Sequence, residues 1–169
     1  MTIESLRDLF EIGLRYTYDC EQQLVKKGIP GMIKGASSPE LKSALEQHLE
    51  ETRTHVTRIE TIFSQIGAKA DTEDNDVVEE MIDAAEGMIS DIDASPLRDA
   101  ALIVAGNQVE HYEMATYGSL IAFAKQLGLG QVVTVLQQTL QEEKAADDKL
   151  AQIGESSVNP RAAGEQKAA

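Results

Sequence analysis

His48-Leu49-Glu50-Glu51-Thr52-Arg53-Thr54-His55 lies within a stretch where Leu41, Leu45, His48, Thr52, His55, Ile59, Ile62 and Ile66 recur at helical spacing. One apolar helix face therefore carries imidazoles, with Glu51 a turn before His55. A second stretch repeats the design with Glu143 and Asp147, beside Leu136, Leu140 and Leu150. Two further helical stretches each place one acid on an apolar stripe: Glu21 among Phe10, Leu14 and Leu24, and Glu110 among Ile103, Met114 and Ile121. A lone buried carboxylate is strongly unfavourable, so acids facing inward need partners. Four such faces, two with one candidate ligand and two with a pair, are what a four-helix bundle needs to hold two metal ions.

The punctuation of the chain fits that bundle. Thr2 is the expected N-cap of a first helix that runs to about residue 27, followed across Gly28, Pro30 and Gly31 by a kinked extra turn to about Gly35. Ser38-Pro39 and Ser95-Pro96 each pair an N-cap with proline at the first helical position. They open helices that should run to about Ile66 and Leu127, stopped by Gly67 and Gly128. A polar connection over 68–76 and a short amphipathic helix built on Val77, Val78, Met81, Ile82, Ala85 and Ile89 lie between them. The last helix should cover about Gln131 to Ile153, and the aperiodic stretch from Gly154 is expected to be a disordered tail. The expected organisation is thus one bundle over residues 1–153, all-α, ferritin-like, with one long crossover carrying a short fifth helix. At roughly 1.5 Å per residue, Glu110 and Glu143 fall at comparable distances from the turn joining their helices. Glu21 matches Glu51 in height only if helical structure continues past Pro30.

Composition narrows the function. The 169-residue chain has a net charge of −14, which disfavours nucleic acid and anionic membrane surfaces as partners. Only 4% of residues are aromatic and none is tryptophan, so the core must be aliphatic. The single cysteine, Cys20, permits no intrachain disulfide. No secretory signal and no apolar run of membrane-spanning length is found, and a soluble cytoplasmic protein is the expectation.

Carboxylates with a little imidazole and no thiolate favour iron, then manganese, over zinc or copper. Several neighbours compete for roles. Glu50 and Glu142 adjoin the chosen acids and are expected to face outward, while Asp148 competes with Asp147. His48 lies inward and is either a ligand or a partner of one. Of His111 and Glu113, one should support the site and the other face a neighbouring helix. Tyr18 and Tyr117 are read chiefly as packed core tyrosines, and Cys20 as a small buried residue.

The stretches Tyr18-Asp19-Cys20-Glu21, Ser37-Ser38-Pro39-Glu40-Leu41, His48 to His55, Val109-Glu110-His111-Tyr112-Glu113 and Glu142-Glu143-Lys144 resemble the YciE/YciF family of bacterial ferritin-like proteins. The resemblance covers about residues 2–153. It implies a ferritin-like bundle, a dinuclear metal centre held by Glu21, Glu51, His55, Glu110, Glu143 and Asp147, a homodimer, and a link to stress responses. It supplies no reaction. The four-residue spacing from Glu51 to His55 departs from the usual Glu-x-x-His, which a local π-bulge could accommodate. Three functions compete: redox chemistry on peroxide or O₂, ferroxidase-type iron handling, and a non-catalytic structural or interaction bundle.

Overall fold

The structure is a computed structural model that describes residues 2–165. Its elements are α1 (Leu6–Gln23), a π-helical turn (Leu24–Gly28), α2 (Ile29–Gly35), α3 (Pro39–Gln65), α4 (Asp76–Asp91), α5 (Pro96–Gln126), α6 (Gly130–Ile153), a second π-helical turn (Gly154–Val158) and α7 (Asn159–Glu165). No strand occurs among the described residues. None of their helices is long and apolar enough to cross a membrane.

The helix starts follow their capping chemistry. Ser38 and Ser95 accept hydrogen bonds from the backbone N–H groups of Leu41 and Arg98, with proline at the head of each helix. α1 begins later than Thr2. Its cap is Ser5, whose Oγ accepts from Asp8 N–H while the Asp8 carboxylate reaches back to Glu4 N–H. That reciprocal pair satisfies two orphan donors, which Thr2 cannot do without an acid three residues on. Gly67 and Gly128 end α3 and α5 with φ of 72° and 70°, the left-handed conformation that glycine adopts without strain.

Pro30 does not stop the first helix. It lacks an N–H, and its ring would crowd the carbonyl four residues back. The chain widens one turn instead, with Ile29 N–H donating to Leu24 O, five residues earlier, and helix continues to Gly35. The same device recurs at the other end. Asn159 N–H donates to Gly154 O ahead of Pro160, and α7 follows. The expected disordered tail is therefore corrected: residues 154–165 are helical, and buried Val158 fixes them to the core. Residues 166–169 lie outside the described residues.

α1 and α6 run one way along the bundle and α3 and α5 the other, so the chain between α3 and α5 must travel the bundle's length. α4 makes that crossover. Its cap, Asn75, is buried and donates from Nδ2 to Tyr16 O (3.0 Å) and Tyr112 Oη (2.9 Å), fixing the crossover to α1 and α5. At one end, buried Asp99 accepts from the N–H groups of Ser37 (2.6 Å) and Ser38 (2.8 Å), tying the α2–α3 turn to the start of α5. This is a ferritin-like four-helix bundle with one long crossover.

The apolar interior is split in two. One cluster gathers Leu24, Met32, Leu41, Leu45, Leu102 and Ile153. The other gathers Phe10, Leu14, Ile59, Phe63, Leu120 and Leu136. Between them lies a polar layer.

Candidate metal centre

Four carboxylates and two imidazoles occupy that layer, all buried: Glu21 from α1, His48 and His55 from α3, Glu110 and Glu113 from α5, and Glu143 from α6. Ligand atoms of five of them converge in two groups, Glu21–His55–Glu143 and His48–Glu110–Glu143, each with its atoms within 4.8 Å of one another, while Glu113 belongs to neither. Glu143 belongs to both, and its two oxygens divide between them. Oε1 is 3.0 Å from His55 Nδ1, which is also 3.5 Å from Glu21 Oε2. Oε2 is 4.0 Å from His48 Nε2, which is 3.1 Å from Glu110 Oε1.

Close approach here is not hydrogen bonding. Glu21 Oε2, His55 Nδ1, Glu110 Oε2 and both oxygens of Glu143 are buried with no hydrogen-bond partner. Buried polar atoms are almost always paired, so this many orphans at one place form a donor set suited to cations. Charge agrees: four carboxylates are balanced by two divalent cations, with both imidazoles neutral. The residues present fit metal ions.

The surrounding groups orient these atoms. His55 Nε2 donates to Glu142 Oε2 at 2.9 Å, and Arg58 grips the same carboxylate through both terminal nitrogens, one at 3.0 Å from Oε1. Burial alone would raise the Glu142 pKa, but Arg58 and His55 overcome it and bring it down to about 2. A fixed carboxylate on Nε2 leaves Nδ1 as the free, inward ligand atom of the ring. Tyr117 Oη donates to Glu21 Oε1, so that Oε2 faces His55.

Among the protein groups alone, the acids are hard to ionise together. Burial, then the charges of Glu143, Glu21 and Glu110, push Glu113 well above the carboxylate range. Burial also raises Glu143; His55 opposes it, and Glu21 and Glu110 add to it, giving about 7. For His55 burial acts against the proton, yet Glu143 and Glu21 outweigh it and raise the pKa to about 11. His48 behaves alike, with burial outweighed by Glu110, Glu51 and Glu143. The Cys20 thiol, pushed up by burial and then by Glu113, stays protonated 3.8 Å from the Glu113 carboxylate.

Of the six residues singled out from the sequence, Glu21, His55, Glu110 and Glu143 meet in the layer, whereas Glu51 and Asp147 stand outside both groups. At 100° per residue, four residues rotate Glu51 roughly 40° from His55, away from Thr52, to the edge of the stripe. Seven residues return His48 to within roughly 20°, and it is His48 that faces the layer. The Glu51 side chain is 35% exposed, with Oε2 3.7 Å from His48 Nδ1 and Oε1 accepting from Gln47 at 2.9 Å. Asp147 turns towards α5, accepting from Asn107 Nδ2 at 2.7 Å and lying 3.3 Å from exposed His111. Of the flanking pair, Glu113 is thus the buried member. Tyr18 donates to Glu60 on α3, away from the layer. Glu142 was expected outward; its role depends on Arg58, three residues after His55, and such pairing across helices has no sequence signature.

The fold and this layer define an all-α bundle of ferritin-like topology with a carboxylate–imidazole centre. The chain belongs to the family described as "Domain of unknown function (DUF892)", whose model matches residues 5–163. It is 36% identical over 163 residues to Protein YciF of Escherichia coli strain K12, covering 96% of this chain and 98% of that protein. The crystal structure of the E. coli stress protein YciF superposes with a TM-score of 0.88 at 35% identity, over 93% of this chain and 99% of that one. YcfI of Rhodopseudomonas palustris, provisionally described as a structural protein, superposes with a TM-score of 0.85 at 38% identity, over 88% of this chain and 94% of that one.

Proposed function

We propose that the polar layer holds a dinuclear centre of iron, or else manganese, that carries out redox chemistry on peroxide or O₂ under stress. The observation that supports this most is Glu143, whose two oxygens face two different Glu–His pairs. Glu21 and His55 would hold one ion and Glu110 and His48 the other, with Glu143 common to both groups. When bound, such a pair supplies two one-electron changes at adjacent positions on one small oxidant. The oxygen-rich ligand set suits iron and manganese. Similarity to a protein described as a stress protein supports the physiological setting.

The chain's own groups serve that chemistry in definable ways. Arg58 and Glu142 fix the His55 ring, and Tyr117 fixes Glu21. An apolar cavity of about 20 Å³, lined by Leu24, Met32, Val109, Leu150, His48 and Glu110, gives room beside the second ion for a single small molecule.

Protein loaded anaerobically with Fe(II) or Mn(II) and then given hydrogen peroxide should consume it in proportion to bound metal. Failure to consume peroxide or O₂ with either metal rejects the redox reading. Arg58→Ala should weaken metal binding about 10- to 100-fold while leaving the saturated stoichiometry intact, because it loosens a ligand without removing one. Competition against a chelator of known affinity measures this, and unchanged affinity would show that Arg58 has no orienting role.

A further inference from the structure

We propose that the cleft between α3 and α6 is the entrance through which divalent cations reach the centre, with the Glu51 carboxylate and His48 Nδ1 forming a transit site at its floor. The inference rests on the reading of the layer as a metal centre.

The cleft has a volume of about 220 Å³ and reaches from the surface to His48 and Glu110. Its walls are Ala44 on α3 and Ala145 and Ala146 on α6, side chains too small to close it. His48 is only 8% exposed, and its ring faces two ways. Nε2 lies 3.1 Å from Glu110 in the buried group, while Nδ1 has no hydrogen-bond partner and lies 3.7 Å from Glu51 Oε2. Gln47 donates to the other Glu51 oxygen and so keeps Oε2 towards His48. A half-exposed carboxylate and an unpartnered imidazole nitrogen are suitable first protein ligands for a divalent cation shedding water. On the other side the His55 ring is fully buried and its outer nitrogen is occupied by Glu142. This placement gives Glu51 a role that its position outside both ligand groups otherwise leaves unexplained. Lys149 also lines the cleft, and its charge opposes a cation there, so it serves as an independent lever on the same route.

The test is anaerobic stopped-flow uptake of Co(II) by the full chain, followed through the visible absorption of the bound ion, with the final stoichiometry measured on the same samples. Glu51→Gln should slow uptake about tenfold and lessen its salt dependence, without changing the final stoichiometry. Ala146→Leu should slow uptake by narrowing the mouth, and Lys149→Glu should speed it. Uptake by Glu51→Gln and Ala146→Leu at the wild-type rate would overturn the entrance. A lower final stoichiometry in Glu51→Gln would also overturn it, by making Glu51 a resident ligand. Wild-type protein that takes up no Co(II) at any time would fail the metal-centre reading itself.

Discussion

Glu143→Ala is expected to lower bound metal from about two ions per chain to less than one, a larger loss than any other single substitution in the layer should cause. The reason is geometric. Glu21, His55, Glu110 and His48 each serve one group, whereas Glu143 serves both, one oxygen to each. Removing it takes a ligand from each group and also the negative charge that lies between them. Glu21→Ala should instead spare the His48–Glu110 side and leave about one ion. Elemental analysis after saturating anaerobic loading compares the two. Equal losses in both variants, or full retention in Glu143→Ala, would contradict the bridging role.

The second large effect is an inversion of stability. In chelator-treated protein at neutral pH, the layer should be a liability, because burial and mutual repulsion raise the pKa of Glu113 and Glu143. The sign follows from linkage. For Glu143, raised from 4.5 to about 7, the folded state binds more protons than the unfolded between those values, so stability falls as pH rises through that window. His55, raised to about 11, acts in the same direction above its ordinary 6.5. Glu142, lowered to about 2, acts oppositely and only below 4.5. Chelator-treated wild type should therefore be more stable at pH 5 than at pH 7, by on the order of 2 kcal/mol. Glu143→Gln should flatten that dependence and match or exceed wild type at pH 7. Added metal should reverse the order, since a ligand at a hundred times its Kd stabilises the folded state by about 2.7 kcal/mol per site. Denaturant melts with and without metal read both halves. A layer that served only as a polar core would show no crossing.

The parts of the fold that could be read from the sequence are those governed by local chemistry. Ser38-Pro39 and Ser95-Pro96 announce their helices because cap and proline act within one turn. The apolar stripes identify inward faces, and they brought Glu21, His55, Glu110 and Glu143 to one layer. The errors have equally local causes. Thr2 and Ser5 are both competent caps, and Asp8 decides between them by pairing with Ser5. Asn159-Pro160 carries the same instruction as Ile29-Pro30, yet only at Ile29-Pro30 do apolar residues on both sides announce a continuation, whereas Val158 is one apolar residue in a polar stretch. Spacing from a neighbouring ligand points to Glu51 and Asp147, whereas the angular centre of the stripe decides which side chain points inward. Contacts between helices, such as Arg58 with Glu142 or Asp99 with the α2–α3 turn, depend on the assembled bundle and leave no pattern along the chain.

The most direct test is the metal content of the full chain isolated without an affinity tag or chelator, by elemental mass spectrometry against protein concentration. The account predicts about two ions of iron or manganese per chain. No bound metal, and none retained after anaerobic loading with either ion, would contradict it and leave the buried carboxylates as a polar core.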